Sequence, residues 1–427
     1  MAFYQSLKNQ YKSPALRSMG IYTITNFFGK GLSFLLLPLF TNPKYLSPAD
    51  NGVLSLFSQA VIFLMPFISL GILQSASVDY FKLDQKKFRD FCTTGFFLSS
   101  VMTILTLVVF FIFKNFFFHK YSFPKIFLWA IPLIAFMTFC YELLLLFLRN
   151  RNNATAYMRT NIFKISTELG LAVTLVVAFG YGWIGRVASI LVAGGCVSLY
   201  AIYFLAKGKF LSGSIRRHII FSELKYSVPI ILMQLSMFCL FSSDSFLLAG
   251  ITKNNSQVGI YGMACVFGSV LITLSNALIP HIVPKIYLTL SEKEIDYLYI
   301  RKLFATYFSI VCFAFVSMFF VVPFVYHMFI HDNYWEGIRY YYFLSTGYFF
   351  WTIAIFFYKF LFFYKRKKKL FALAFTSIVI SLSSNYFFIK AGGAYGASIS
   401  VCCSYFFALM LVLLFTKKYW KPMIQRQ

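Results

Sequence analysis

Apolar runs of about 20 residues recur from one end of the chain to the other, separated by short polar or basic stretches. That length matches a helix crossing a hydrocarbon layer about 30 Å thick. The pattern predicts twelve spans: 20–40, 52–75, 91–113, 123–148, 160–181, 184–206, 224–249, 257–282, 303–329, 338–361, 370–389 and 395–416. No connection is long enough to hide a soluble domain. The polar stretch 207–223 divides the chain into an N-terminal lobe (1–206) and a C-terminal lobe (224–427) of six spans each. An all-α, polytopic membrane protein is therefore expected, and two such halves are the usual architecture of a transporter that rocks about a central site.

Composition agrees, with 59% hydrophobic and 12% charged residues, where soluble chains carry about 25% charged. The net charge of +26 would suggest nucleic acid in a soluble protein. Here its distribution decides otherwise. Of the 39 Lys and Arg residues, 27 fall at the two ends of the chain and in the loops after even-numbered spans, and 7 in the opposite set. Cations collect in cytoplasmic loops, so both ends are expected in the cytoplasm and no nucleic acid partner is expected. The first 19 residues are polar and basic and do not read as a secretory signal; Phe3, Tyr4, Leu7 and Tyr11 opposite Lys8 and Lys12 fit a helix lying on the membrane surface.

Chemistry-bearing motifs are sparse. The eight cysteines all lie in apolar runs and read as small buried hydrophobes. Neither they nor the five histidines have metal-ligand spacing, so no metal or cofactor is expected. Only 13 acidic residues are present. Asp79, Asp84 and Asp90 are interleaved with Lys82, Lys86, Lys87 and Arg89, which reads as a solvated loop. No Walker, GxSxG or GxGxxG motif stands in a usable context, and the chain is not expected to be an enzyme.

A weak internal repeat is visible. Asn51–Leu56 (NGVLSL) opens the second span and Val258–Met263 (VGIYGM) the eighth, putting Gly52 and Gly259 in matching places. A parallel repeat about an axis along the membrane normal would produce this.

Three stretches resemble the polysaccharide repeat-unit flippases of Wzx type, within the multidrug/oligosaccharidyl-lipid/polysaccharide (MOP) exporter superfamily. They are residues 31–59 (GLSFLLLPLFTNPKYLSPADNGVLSLFSQ), 67–81 (FISLGILQSASVDYF) and 224–263 (LKYSVPIILMQLSMFCLFSSDSFLLAGITKNNSQVGIYGM). Two positions depart from the family pattern: Asp79 stands where a basic residue is more usual, and Ser245 replaces the common Arg after Asp244. The resemblance implies a MATE-like fold of twelve helices. It also implies movement of an undecaprenyl-diphosphate-linked oligosaccharide from the cytoplasmic to the periplasmic leaflet of the inner membrane, for surface polysaccharides such as O-antigen. Membrane lipids, a polysaccharide polymerase and chain-length machinery would be the partners. A small-molecule or drug antiporter of the same superfamily is the main alternative. A lipid II flippase and a membrane glycosyltransferase or polymerase fit less well, the latter because it needs a large extramembrane loop.

An ionisable group near the bilayer centre costs at least about 2.5–3.5 kcal/mol, so those present usually face a wet cavity or a partner. Lys30, between Gly29 and Gly31 in the first span, is the leading candidate for holding a diphosphate. Lys164 and Arg186 are expected to assist it in substrate binding. Lys164 shares a helix face with Glu168 four residues on. Glu168, Asp244 and Glu142 are the candidate ion-coupling carboxylates. Pro38 and Pro229, in the first span of each half, are candidate pivots.

Overall fold

The computed structural model describes residues 21, 25, 28–29, 31–116, 124, 127–292 and 294–425. Lys30 lies outside the described residues, as does the N-terminal segment read as a surface helix. The described residues are helical with no strand. Ten of their helices are long and apolar enough to cross a membrane. The last runs Lys367–Gln425 and is broken at Gly392 and Gly393, whose backbones leave the helical region (φ −142° and +56°). That break divides the helix into two segments, which correspond to the expected spans eleven and twelve. The first span falls largely on residues outside the described set, so a total of twelve is consistent with the ten observed.

In chain order the helices are α1 (Leu37–Phe40), α2 (Pro48–Ser69), α3 (Ile72–Lys82), α4 (Gln85–Ile112), α5 (Phe127–Asn150), α6 (Ala154–Val173) and α7 (Gly182–Lys207). They continue as α8 (Arg217–Phe241), α9 (Ser243–Thr252), α10 (Asn255–Gly268), α11 (Val270–Ser291), α12 (Tyr297–Phe329), α13 (Gly337–Phe363) and α14 (Lys367–Gln425). Three expected spans are interrupted, the eighth only at Ser269 between α10 and α11, where the backbone stays right-handed helical (φ −66°, ψ −10°). The second ends at Leu70 and Gly71, both with positive φ (48° and 68°), and restarts as α3. The seventh breaks at Ser242 (φ −140°, ψ −10°), between α8 and α9. Pro38 sits in the first turn of α1, where its missing N–H costs nothing, and Pro229 lies inside α8 without ending it.

The chain forms two compact units. One draws its described residues from Met1–Phe40, Lys44–Leu46 and Phe57–Leu235; the other consists of Thr41–Pro43, Ser47–Leu56 and Ser236–Gln427. The boundary thus lies inside α8, beyond the 207–223 stretch. The physical reason is local. Ser227 of α8 donates its hydroxyl to the Leu70 carbonyl, and Ile230 packs on Gly71, where a Cβ would come within 2.7 Å of its Cδ1. These contacts hold the first part of α8 to the α2–α3 joint.

Ser47–Leu56 belongs to the second unit for an equally local reason. Asn51 Nδ2 donates to the Tyr334 hydroxyl at 2.6 Å. At Gly52 a Cβ would lie 1.9 Å from the Asn255 carbonyl oxygen, and at Gly259 one would lie 1.9 Å from that of Pro48. The two glycines paired by the internal repeat are therefore the two that meet, backbone against backbone. Small residues at a helix crossing allow this approach within a membrane.

Candidate functional site

In the first unit the sequence-predicted cations come together around one carboxylate. Glu168 on α6 receives Lys164 Nζ at 3.4 Å on Oε2 and Arg186 Nη2 at 3.1 Å on Oε1. The Lys164 contact follows from the four-residue spacing on one helix face. The Arg186 contact depends on the α6–α7 turn. There α6 widens into a π-helical turn, Thr174–Ala178, and the chain reverses through Gly180 and Gly182, with φ of 68° and 54°. Gly185 then sits against the Leu175 backbone, where a Cβ would be 3.1 Å away. Arg186 is thereby set beside Glu168, one helix over.

Aromatic rings support both cations. Lys164 Nζ lies 5.0 Å from the Tyr141 ring centre and the Arg186 guanidinium 5.4 Å from that of Phe40, within the range at which a cation is attracted to a ring face. Tyr141 donates its hydroxyl to Asn161 Oδ1 at 2.5 Å. Asn161 in turn donates to the Tyr157 carbonyl at 3.0 Å, so the ring under Lys164 is fixed.

The cluster keeps an excess of one positive charge. Its three side chains are 18–25% exposed. Arg186 Nη1 is buried and has no hydrogen-bond partner among the described residues. Chemically this is a partly exposed guanidinium with one buried nitrogen left without a partner and an ammonium beside it, a charge pattern suited to an oxyanion such as phosphate.

The other predicted residues are placed elsewhere. Asp244, at the start of α9 in the second unit, is 6% exposed. Its carboxylate accepts the Tyr261 hydroxyl on Oδ2 and the Ser245 N–H at 2.8 Å on Oδ1. Tyr348 and Tyr405 lie nearby with ring centres 5.7 Å apart and planes tilted by 38°, and Tyr405 donates to the Leu240 carbonyl at 3.3 Å. Among the described residues no cation pairs with Asp244. Glu142 on α5 is exposed, with Arg149 and Lys164 within electrostatic reach; it makes no described ion pair.

One functional candidate is absent from the sequence reading. Glu223, at the start of α8, is 7% exposed, and its Oε2 has no hydrogen-bond partner among the described residues. Beside the basic 207–217 stretch it resembles a solvated loop acid. Only its position in the folded unit shows the burial.

Residues 15–286 match the profile of the family described as polysaccharide biosynthesis protein. The chain belongs to that family. No curated protein sequence matches it. Among solved structures, the lipid II flippase MurJ in an inward closed conformation aligns over 93% of this chain and 87% of its own, at 14% identity and TM-score 0.73. An inward-facing multidrug resistance MATE transporter of the MOP superfamily aligns over 93% and 96%, at 15% identity and TM-score 0.66. An outward-facing MATE transporter of the same superfamily gives 0.58 over 97% and 95%, at 16% identity. This polysaccharide biosynthesis family member thus has the fold of MOP-superfamily transporters, as its sequence motifs implied.

Proposed function

We propose that the protein is a flippase moving a lipid-linked oligosaccharide, carried on undecaprenyl diphosphate, from the cytoplasmic to the periplasmic leaflet by alternating access. The Lys164–Glu168–Arg186 cluster is the observation that carries this reading. It supplies net positive charge and an unpartnered guanidinium nitrogen in a partly exposed part of the first unit. A diphosphate is the portion of such a substrate that hydrocarbon tolerates least, and charge-assisted hydrogen bonds from a guanidinium offset its desolvation.

Lys30, four residues after Asn26 on the first span, joins the cations of this proposal on sequence grounds. Glu168 holds Lys164 and Arg186 in place between substrate cycles. The loops rich in Lys and Arg orient both ends to the cytoplasm of a bacterial inner membrane. No covalent chemistry is required of the chain. The two compact units, divided within α8 rather than at 207–223, are the moving parts of the proposed cycle, and a polysaccharide polymerase with its chain-length machinery consumes the product.

The test is reconstitution of the purified chain in proteoliposomes with undecaprenyl-diphosphate-linked oligosaccharide in one leaflet. Appearance of the sugar in the other leaflet is read by accessibility to an impermeant lectin. The expected result is movement above protein-free vesicles, reduced more than tenfold by Arg186→Ala. Uptake of organic cations with no movement of any lipid-linked sugar would replace this reading with the antiporter one.

A further inference from the structure

The start of α6 and the second half of α7, both in the first unit, enclose a cleft of about 510 Å³. Its lining changes character with depth. Thr155 and Arg159, near the basic-loop end of α6, form a polar mouth with the cap residue Asn153, while Phe163 on α6 and Cys196 and Val197 on α7 form an apolar floor. At a rise of about 1.5 Å per residue, Arg159 stands roughly 8 Å along α6 from its start, and Cys196 about 16 Å from the end of α7. Tyr200 of α7 lies between these levels. A membrane lipid has the same order, with its phosphate at the interface and its chain below. The cleft also opens on an apolar face of the helices, where Phe163, Leu199, Tyr200 and Tyr203 are all exposed.

The mouth is set by a fixed turn. Asn152 is left-handed (φ 53°), the Asn153 N–H donates to the Leu148 carbonyl at 2.9 Å, and Asn153 Oδ1 accepts the Ala156 N–H at 3.1 Å. Three arginines surround this turn, and two have work within the protein. Arg149 acts on Glu142, and the Arg151 guanidinium lies 5.4 and 5.0 Å from the Phe204 and Phe210 ring centres. Arg159 has no ion pair or hydrogen bond among the described residues, and neither has the Thr155 hydroxyl one turn before it. No carboxylate lines the cleft. It therefore offers one uncompensated cation with a hydroxyl beside it. That charge matches a monoanionic phosphodiester. A choline or ethanolamine headgroup would bring an ammonium for which the cleft holds no counter-ion, and a diphosphate is better matched by the two cations of the Lys164–Arg186 cluster.

We propose that this cleft binds an acidic phospholipid of the leaflet on the basic-loop side. Arg159 and Thr155 receive the phosphate, and the first part of an acyl chain lies over Phe163, Cys196 and Val197. The site is separate from the one assigned to the cargo, and it stands whatever the cargo is. A lipid seated there joins the ends of α6 and α7 opposite to those that carry Glu168 and Arg186. It thereby fastens together the two helices on which that ion pair depends.

Cys196, an exposed thiol on the cleft wall, reports occupancy in the purified full chain. Its modification by N-ethylmaleimide in detergent is followed on the Cys196 peptide by mass spectrometry, so the other cysteines do not interfere. Phosphatidylglycerol should slow the modification about threefold more than the same amount of phosphatidylcholine, the size of one partly exposed charge contact. Arg159→Gln should remove that difference, and Arg159→Lys should keep part of it. Thr155→Asp should remove it as well, by setting a negative charge at the mouth. An acid in the first turn of a helix suits the helix dipole, so this variant keeps its fold and decides the matter even where an Arg159 variant is poorly folded. Equal protection by the two lipids in wild type, or a preference unchanged in Arg159→Gln and Thr155→Asp, would overturn the proposal. Protection by undecaprenyl diphosphate with none by phosphatidylglycerol would overturn it too, and would give the cleft to the cargo.

Discussion

Glu168 and Asp244 are both carboxylates inside apolar helices, yet their surroundings treat them differently. Glu168 is shared by two cations that together over-compensate it, and the trio is partly wetted. Asp244 is held by a tyrosine hydroxyl and a backbone N–H, deep among aromatic rings, with no described ion pair. The first arrangement leaves a buried guanidinium nitrogen without a partner, while the second consumes its hydrogen-bonding capacity internally. A charge inside a membrane protein is thus informative only together with what its partners have left over. Glu168 belongs to a cluster able to meet a ligand, and Asp244 to a packed joint where the seventh span breaks.

This contrast can be broken most severely at Asp244. Asp244→Ala strips the Tyr261 hydroxyl and the Ser245 N–H of their acceptor and should cost on the order of 3 kcal/mol of stability. It would be seen as a lowered unfolding midpoint and poor yield; a normal midpoint would place Asp244 among the ligand-facing groups. Next in size, Arg186→Ala should leave the midpoint within about 1 °C of wild type while slowing sugar movement more than tenfold, about 1.4 kcal/mol in the barrier. Arg186→Lys should recover part of that rate, because a lysine keeps the charge but not the planar fork. Tyr261→Phe should lower the midpoint less than Asp244→Ala, by about 1 kcal/mol, with the rate per folded molecule unchanged. The smallest effect is expected at Glu168→Gln. The amide keeps a single acceptor oxygen, so one of the two cations loses its bond while both stay on their helices, and the rate should change by less than about fivefold. A complete loss there would make Glu168 a coupling group rather than a holder of its neighbours.

The membrane crossings were legible because length and hydropathy are properties of contiguous sequence. The breaks at Leu70–Gly71, Ser242 and Ser269 required the folded chain, where backbone conformation is set by packing from elsewhere. Lys164 and Glu168 were legible as a pair because helical spacing alone brings them together. Arg186 was legible as a candidate cation, but its bond to Glu168 depends on a π-helical turn and two left-handed glycines, which no periodicity announces. Asp244 stood out by its charge, while its tyrosine partner, on a different helix, did not. Glu223 was missed because its neighbours in sequence are basic and polar. Its burial comes from α3 and from the 208–216 segment fastened to Thr93, Thr94 and Asp90.

The meeting of Gly52 with Gly259 bears on how the protein is made. A ribosome releases the NGVLSL segment long before the VGIYGM segment exists, so this early stretch must wait, unmatched, for its counterpart. Severing the chain in the 208–216 segment and expressing the pieces separately would strand each fragment without part of its own packing. Only co-expression would let the 47–56 segment of the early piece find its seat.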